Sequence, residues 1–169
     1  DKLDFFPSTN FIYSLKENSN LRLSYSKTTA RPSFKEVSIA EIYDPLSNMT
    51  FNGNINLKPS YIDNIDLRFE IFGDQSQLFA VSSFYKSFKD PIELTYYESS
   101  TENFQPKNLG NAKVYGLEFE IRKQLSNSLG VNLNASIIES RQKFGESELS
   151  LRTKGLREGE TLGNYRRLQ

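Results

Sequence analysis

The chain contains no cysteine and no histidine, and these two absences remove more chemistry than any other feature of its 169 residues. Disulfide frameworks, Cys/His zinc sites, cysteine nucleophiles and Ser-His-Asp arrangements all need one or both. Long hydrophobic runs are missing too. A transmembrane helix needs roughly 18–20 consecutive apolar residues, and here the longest apolar patches are broken by charges within a few positions. Any membrane-crossing role must therefore use strands. An excess of one charge is also lacking, since 21 Lys+Arg balance 21 Asp+Glu. No basic block offers a surface to a polyanion, which sets nucleic acid aside as a partner. The opening "DKLDFFPSTN" has neither an initiator methionine nor the basic, apolar and small-residue regions of a secretory signal. It is the start expected of a mature piece or an internal fragment. Trp is absent, but 13 Phe and 9 Tyr are present, which suits strands and the aromatic girdles of membrane interfaces.

What is present is alternation. In "KVYGLEFEIRKQL" (113–125), Tyr115, Leu117, Phe119 and Ile121 fall on one side of an extended chain and Glu118, Glu120 and Arg122 on the other. The same period recurs in Phe11, Tyr13 and Leu15, and in Leu21, Leu23 and Tyr25 against Arg22, Ser24 and Ser26. It recurs again in Ile65, Leu67, Phe69 and Ile71 against Asn64, Asp66, Arg68 and Glu70. In "QLFAVSSFYKSF", Phe79, Val81, Ser83 and Tyr85 oppose Ala80, Ser82, Phe84 and Lys86, a less clean division because Phe84 joins the polar set. Leu129, Val131, Leu133, Ala135 and Ile137 alternate with Gly130, Asn132, Asn134 and Ser136. This pattern predicts about six strands in three hairpins, closed by the polar turns "ENSN" (17–20), "GDQS" (73–76) and "SNS" (126–128).

The links between hairpins are long: 30–60, 89–111, and the stretch from about 144 onward. Loops beyond about 12–15 residues are uncommon in compact domains, and here long and short connections alternate strictly. Outer-membrane barrels have that asymmetry, with short periplasmic turns at one rim, long extracellular loops at the other, and strands of roughly ten alternating residues between. A soluble β-sandwich more often shows turns every 8–12 residues or so and no difference between its ends. The expected fold class is all-β, an antiparallel transmembrane β-barrel fragment. Its apolar stripes (Leu67, Phe69, Ile71, Leu117, Phe119, Ile121) face lipid, and its polar positions (Arg22, Arg68, Glu70, Glu118, Glu120, Arg122) face a hydrated lumen.

At "RLSYSKTTARPSFKE", "GNINLKPSYIDNIDLRFEIF", "SSFYKSFKDPIE" and "NAKVYGLEFEIRK" the sequence resembles the C-terminal barrel region of TonB-dependent outer-membrane receptors, especially those of the Bacteroidetes type. The resemblance runs from the "FFPSTN" strand to "RRLQ" and treats residues 1–169 as part of one barrel domain, without the plug domain, the TonB box or the final strand pair with its terminal aromatic residue. It implies a 22-stranded Gram-negative outer-membrane barrel with a plug inside. The activity it implies is energised uptake of a scarce ligand such as an iron chelate, cofactor, glycan or peptide, with no cofactor and no catalysis. The partners it implies are TonB with its inner-membrane energising proteins, reached through the plug region, together with the lipid bilayer, the transported ligand and a surface lipoprotein.

Each candidate site has a plainer reading. Arg31-Pro32, with Phe34 and Glu36, matches the family pattern at a strand exit, where proline simply ends the ladder by removing a donor. "GNINLKPS" supplies Gly53, Asn54 and Pro59 as turn punctuation and lacks the Lys-Ser/Thr ending of a phosphate loop. Glu118 and Glu120 could divide acid and base roles, but a solvated face is the simpler account. Glu146, Glu148, Glu158 and Glu160 in "GESELS" and "REGETLG" lack a calcium-loop pattern and read as exposed loop charge, so no metal site is expected. Tyr96, Tyr97 and Phe104 are the substrate-binding candidates, able to stack on a sugar or siderophore or else to pack within their own loop. The competing functions are a soluble β-sandwich binding module or surface adhesin, whose stripes would form a core, and an outer-membrane enzyme, which the missing histidine weakens.

Overall fold

The structure is a computed structural model and describes residues 3–74, 76–97, 100–126, 128–143 and 165–166. Three long hairpins form as the alternation predicts. The first pairs β1 (Ser8–Lys16) with β2 (Ser19–Ala30), the second joins β5 (Ser60–Phe72) to β6 (Leu78–Lys89), and the third joins β9 (Asn111–Ser126) to β10 (Leu129–Lys143). With the short β11 (Tyr165–Arg166) they make one sheet in the order β1-β2-β5-β6-β9-β10-β11. The register of the first hairpin sets Phe11 opposite Leu23 and Tyr13 opposite Leu21, so apolar residues meet across the pair, while Ile12 faces Arg22 on the other side. The polar turn between β5 and β6 is closed by Gly73 N–H donating to the Gln77 carbonyl at 2.9 Å, and Phe72 N–H at the end of β5 donates to the Asn18 carbonyl of the neighbouring β1–β2 turn at 2.8 Å.

The linking segments carry structure that alternation does not reveal. Residues 30–60 hold the one-turn helix α1 (Phe34–Val37) and the strands β3 (Glu41–Asp44) and β4 (Met49–Asn52). Residues 89–111 hold β7 (Ile92–Tyr97) and β8 (Ser100–Asn108), and the four strands form a second sheet in the order β3-β4-β8-β7. Ser33 and Glu36 cap α1 reciprocally: Glu36 N–H donates to Ser33 Oγ, and Ser33 N–H donates to the Glu36 carboxylate at 2.6 Å. β2 ends at Ala30, just before Pro32, as the loss of a ladder donor requires. The 53–60 stretch turns through Leu57 N–H to the Asn54 carbonyl (3.2 Å), which agrees with its reading as punctuation.

By their internal contacts the residues fall into two compact units, 1–28 with 63–87 and 113–140, and 29–62 with 88–112 and 141–169; the boundaries lie within β2, β5, β6, β9 and β10. The first unit has almost no core. Ala80 is its buried apolar residue among those described, whereas Leu23, Leu67, Ile71, Leu117, Phe119 and Leu133 are all substantially exposed. In the second unit Phe51, Leu109 and Ala112 are buried, and Phe51 meets Phe104 edge-on at 5.6 Å with Lys35 Nζ over its ring at 4.6 Å. The stretch from 144 to 164, with its four glutamates, lies outside the described residues.

Candidate functional site

The polar side of the first unit is a connected ladder of charge. Arg22 on β2 holds Glu70 on β5 through Nε at 2.5 Å, and Arg68 Nε holds the other oxygen of the same carboxylate at 3.0 Å. Arg68 then reaches over β6, where its Nη1 donates to Ser82 Oγ at 3.1 Å, to place Nη2 2.9 Å from Glu120 on β9. Arg122 Nη2 completes the row on Glu120 at 2.6 Å. Alternation puts these five residues on one face; register decides which of them pair. Glu70 is the anchor, its side chain only 5% exposed and satisfied by two guanidinium groups.

Glu118 lies outside this ladder. It borders a recess of about 280 Å³ together with Arg68, Ser82, Glu120, Asn134 and Ser136, so the polar positions of β5, β6, β9 and β10 converge there. Phe84, the odd member of the polar set, has a partner on the same face. Its ring lies over Gly116, where an added Cβ would sit 2.9 Å from the ring and 2.6 Å from the Ile137 carbonyl oxygen. A glycine on β9 is thus what makes room for an aromatic ring on the side that carries the charge ladder.

The opposite side carries the exposed stripes. Leu67, Ile71, Leu117 and Phe119 from the predicted set are exposed; Phe69 and Ile121 are half-buried. Tyr25, Tyr85 and Tyr115 each end the apolar run of their strand, with Lys27, Ser87 and Lys113 two residues further out. Tyr25 hydroxyl donates to the Asp63 carboxylate at 2.7 Å, giving the aromatic ring a polar tip at the end of the band. Sequence reasoning grouped Tyr25 with the apolar set and missed this pair, because Asp63 becomes its neighbour only through the β2–β5 register.

Of the ligand candidates, Tyr96 stands opposite Phe104 in the β7–β8 register. The side chains of Tyr96 and Tyr97 are outside the described residues, and the Phe104 ring contacts Phe51. The loop unit also contains an amide-rich recess, bordered by Asn52, Asn54, Asn56, Asn103 and Gln105, that no motif in the sequence marks.

A two-faced sheet with charge on one side, exposed apolar stripes on the other and little core between is the construction of a membrane barrel wall. The sequence model of the outer membrane protein beta-barrel family matches residues 1–161. The chain belongs to the outer membrane protein beta-barrel family. As a member it is an outer-membrane protein. No curated protein matches it. Among solved structures it is similar to the siderophore receptor PirA from Pseudomonas aeruginosa, at 20% identity and a TM-score of 0.68 over 86% of this chain and 31% of that one. A ferric enterobactin receptor (PfeA) from the same organism aligns at 17% identity and a TM-score of 0.61, covering 85% of this chain and 26% of the receptor. The siderophore receptor PirA from Acinetobacter baumannii aligns at 15% identity and 0.53, over 85% and 27%. These likenesses carry the fold; the family chain spans about a third of PirA or less.

Proposed function

We propose that these residues form part of the barrel domain of a TonB-dependent receptor, which takes up a scarce ligand across the outer membrane and breaks no bond in it. The observation that carries the reading is the pairing of a charge ladder on one face with unburied leucine, isoleucine and phenylalanine on the other. Water on the ladder side and lipid on the other suit both. From Tyr115 to Leu125 an extended strand covers about 33 Å at about 3.3 Å per residue; tilted by about 40° this is about 25 Å, the height of an outer-membrane apolar band. Lys123 interrupts that stripe near its end, where a long side chain can carry its ammonium to the headgroups.

In this reading Arg22, Arg68, Glu70, Glu118, Glu120 and Arg122 line the lumen, and a plug occupies it. Residues 30–60, 89–111 and 144–166 lie outside the cell and capture ligand, with Tyr96, Tyr97 and Phe104 as stacking candidates. The turns near 17–20, 73–76 and 126–128 lie in the periplasm. TonB, energised by the inner-membrane proton gradient, pulls on the plug and releases the ligand inward; a surface lipoprotein is a further partner of the loops. These residues contain no cysteine, so in a receptor whose other cysteines, if any, are replaced, single thiols introduced here report sidedness. In intact cells Leu46→Cys, at the β3–β4 turn, should react with an impermeant maleimide and Asp74→Cys should not. The reverse pattern would invert the orientation. Ligand accumulation should also vanish in cells lacking TonB, and accumulation that persists there would remove the transport mechanism.

A further inference from the structure

The loop unit holds a recess lined by amides rather than charge. About 330 Å³ of space is bordered by Asn52, Asn54, Asn56, Asn103 and Gln105. Two of these build its wall. Asn54 Nδ2 donates to the Pro106 carbonyl at 3.0 Å while its Oδ1 accepts from Asn56 N–H at 3.0 Å, and Gln105 Nε2 donates to the Gly53 carbonyl at 3.1 Å. Gly53 is held so closely that a Cβ there would run into the Ser38 carbonyl oxygen. The recess is therefore fixed by side-chain bonds between segments far apart in sequence.

The other amides have hydrogen-bonding capacity left over among the described residues. The side chains of Asn56 and Asn103 make no hydrogen bond among the described residues. Asn52 Oδ1 is shielded from solvent and has no donor among the described residues, which leaves it able to accept from a ligand hydroxyl. An amide offers one acceptor and two donors, and a hydroxyl both gives and takes. Ile39 and Ile55 add apolar surface at the same recess, and Glu41 is the one charged group among its described lining residues. Among the described lining residues no cation offsets that carboxylate, so a carboxylate, phosphate or catecholate meets amide donors but also a like charge, whereas a neutral hydroxyl meets the donors and acceptors without that repulsion. The volume is at the small end of ligand sites, enough for about one or two sugar rings.

We propose that this recess is a subsite for a neutral, hydroxyl-rich ligand, an uncharged oligosaccharide. The inference rests on the reading of residues 30–60 and 89–111 as outward loops of a receptor. The whole receptor in outer-membrane vesicles is probed with an array of neutral oligosaccharides and, separately, with an anionic ferric tris-catecholate. At least one neutral oligosaccharide should bind saturably, and Asn56→Ala and Asn103→Ala should each weaken it about tenfold. Neither side chain bonds to the described fold, so both variants should assemble as heat-resistant barrels. Asn103→Gln, which keeps the amide, should recover part of the loss. If no neutral oligosaccharide binds, or if both alanine variants bind it unchanged, the inference is wrong. Accumulation with and without TonB is followed in the same cells. Intact TonB-dependent uptake with a failed sugar arm overturns the subsite alone. Sugar binding lost in the variants, alongside uptake indifferent to TonB, overturns the transport mechanism alone.

Discussion

Glu70→Gln removes the charge on which the polar ladder is hung. The carboxylate is 5% exposed and accepts from Arg22 at 2.5 Å and Arg68 at 3.0 Å. Two hydrogen bonds to a charged group are worth about 1.5–3 kcal/mol each, an upper bound near 6 kcal/mol. Two facts lower it. Arg22 and Arg68 are 39% and 32% exposed, so water recovers part of their solvation, and Arg68 keeps Glu120 at 2.9 Å. The expected cost is about 2–3 kcal/mol. Arg122, 56% exposed and at the end of the row, should lose under about 1 kcal/mol on Arg122→Ala. The assay is reversible urea unfolding of the receptor in lipid vesicles, with a double-mutant cycle combining Glu70→Gln and Arg22→Ala, whose coupling should be about 1–2 kcal/mol. Equal costs for Glu70→Gln and Arg122→Ala, or a coupling of zero, would refute the claim that Glu70 anchors the ladder.

Two further outcomes follow from particular contacts. Gly116→Ala should destabilise the wall by about 1–3 kcal/mol in the same assay, and Phe84→Ala in the same chain should restore only part of it, because the Ile137 carbonyl still stands in the way. In the β3–β4 turn the Ser47 hydroxyl (2.8 Å) and the Leu46 N–H (3.0 Å) donate to Asp44, and these bonds hold its carboxyl below the usual carboxylate range. A lowered folded-state value stabilises the turn above the unfolded value and loses that contribution as pH falls through the folded one. Hydrogen exchange at Leu46, corrected for intrinsic rate, should show the turn opening on acidification, and Asp44→Asn should flatten the profile.

The three long hairpins were legible because each strand repeats one apolar and one polar side over many residues and each turn is short and polar. The second sheet was not. β3 and β4 are four residues each, too short for a period to register, and β4 meets β8 in parallel through only Thr50–Asn103 and Phe51–Phe104, partners more than fifty residues apart. β8 also contains Pro106, a residue that argues against a strand reading although it pairs with Leu94. The helix α1 had a readable signal in Ser33-x-x-Glu36, the pattern of a capping box. At the site, parity collected Arg22, Arg68, Glu70, Glu120 and Arg122 on one face. It could not reveal that Arg68 bridges two carboxylates while Glu118 stands apart, since reach across β6 depends on register. Phe84 looked misplaced until Gly116 supplied the space beneath it.

The central claim is that adjacent residues of one strand face lipid and water, and β10 tests it most directly. Leu133 is 56% exposed on the apolar side, and its neighbour Asn134 borders the polar recess beside Glu118 and Glu120. Reversible unfolding in lipid vesicles of Leu133→Arg and Asn134→Arg compares one substitution at one depth on the two faces. Leu133→Arg should cost about 2–4 kcal/mol and Asn134→Arg close to zero. Equal costs at the two positions, or a larger cost at Asn134, would contradict the account.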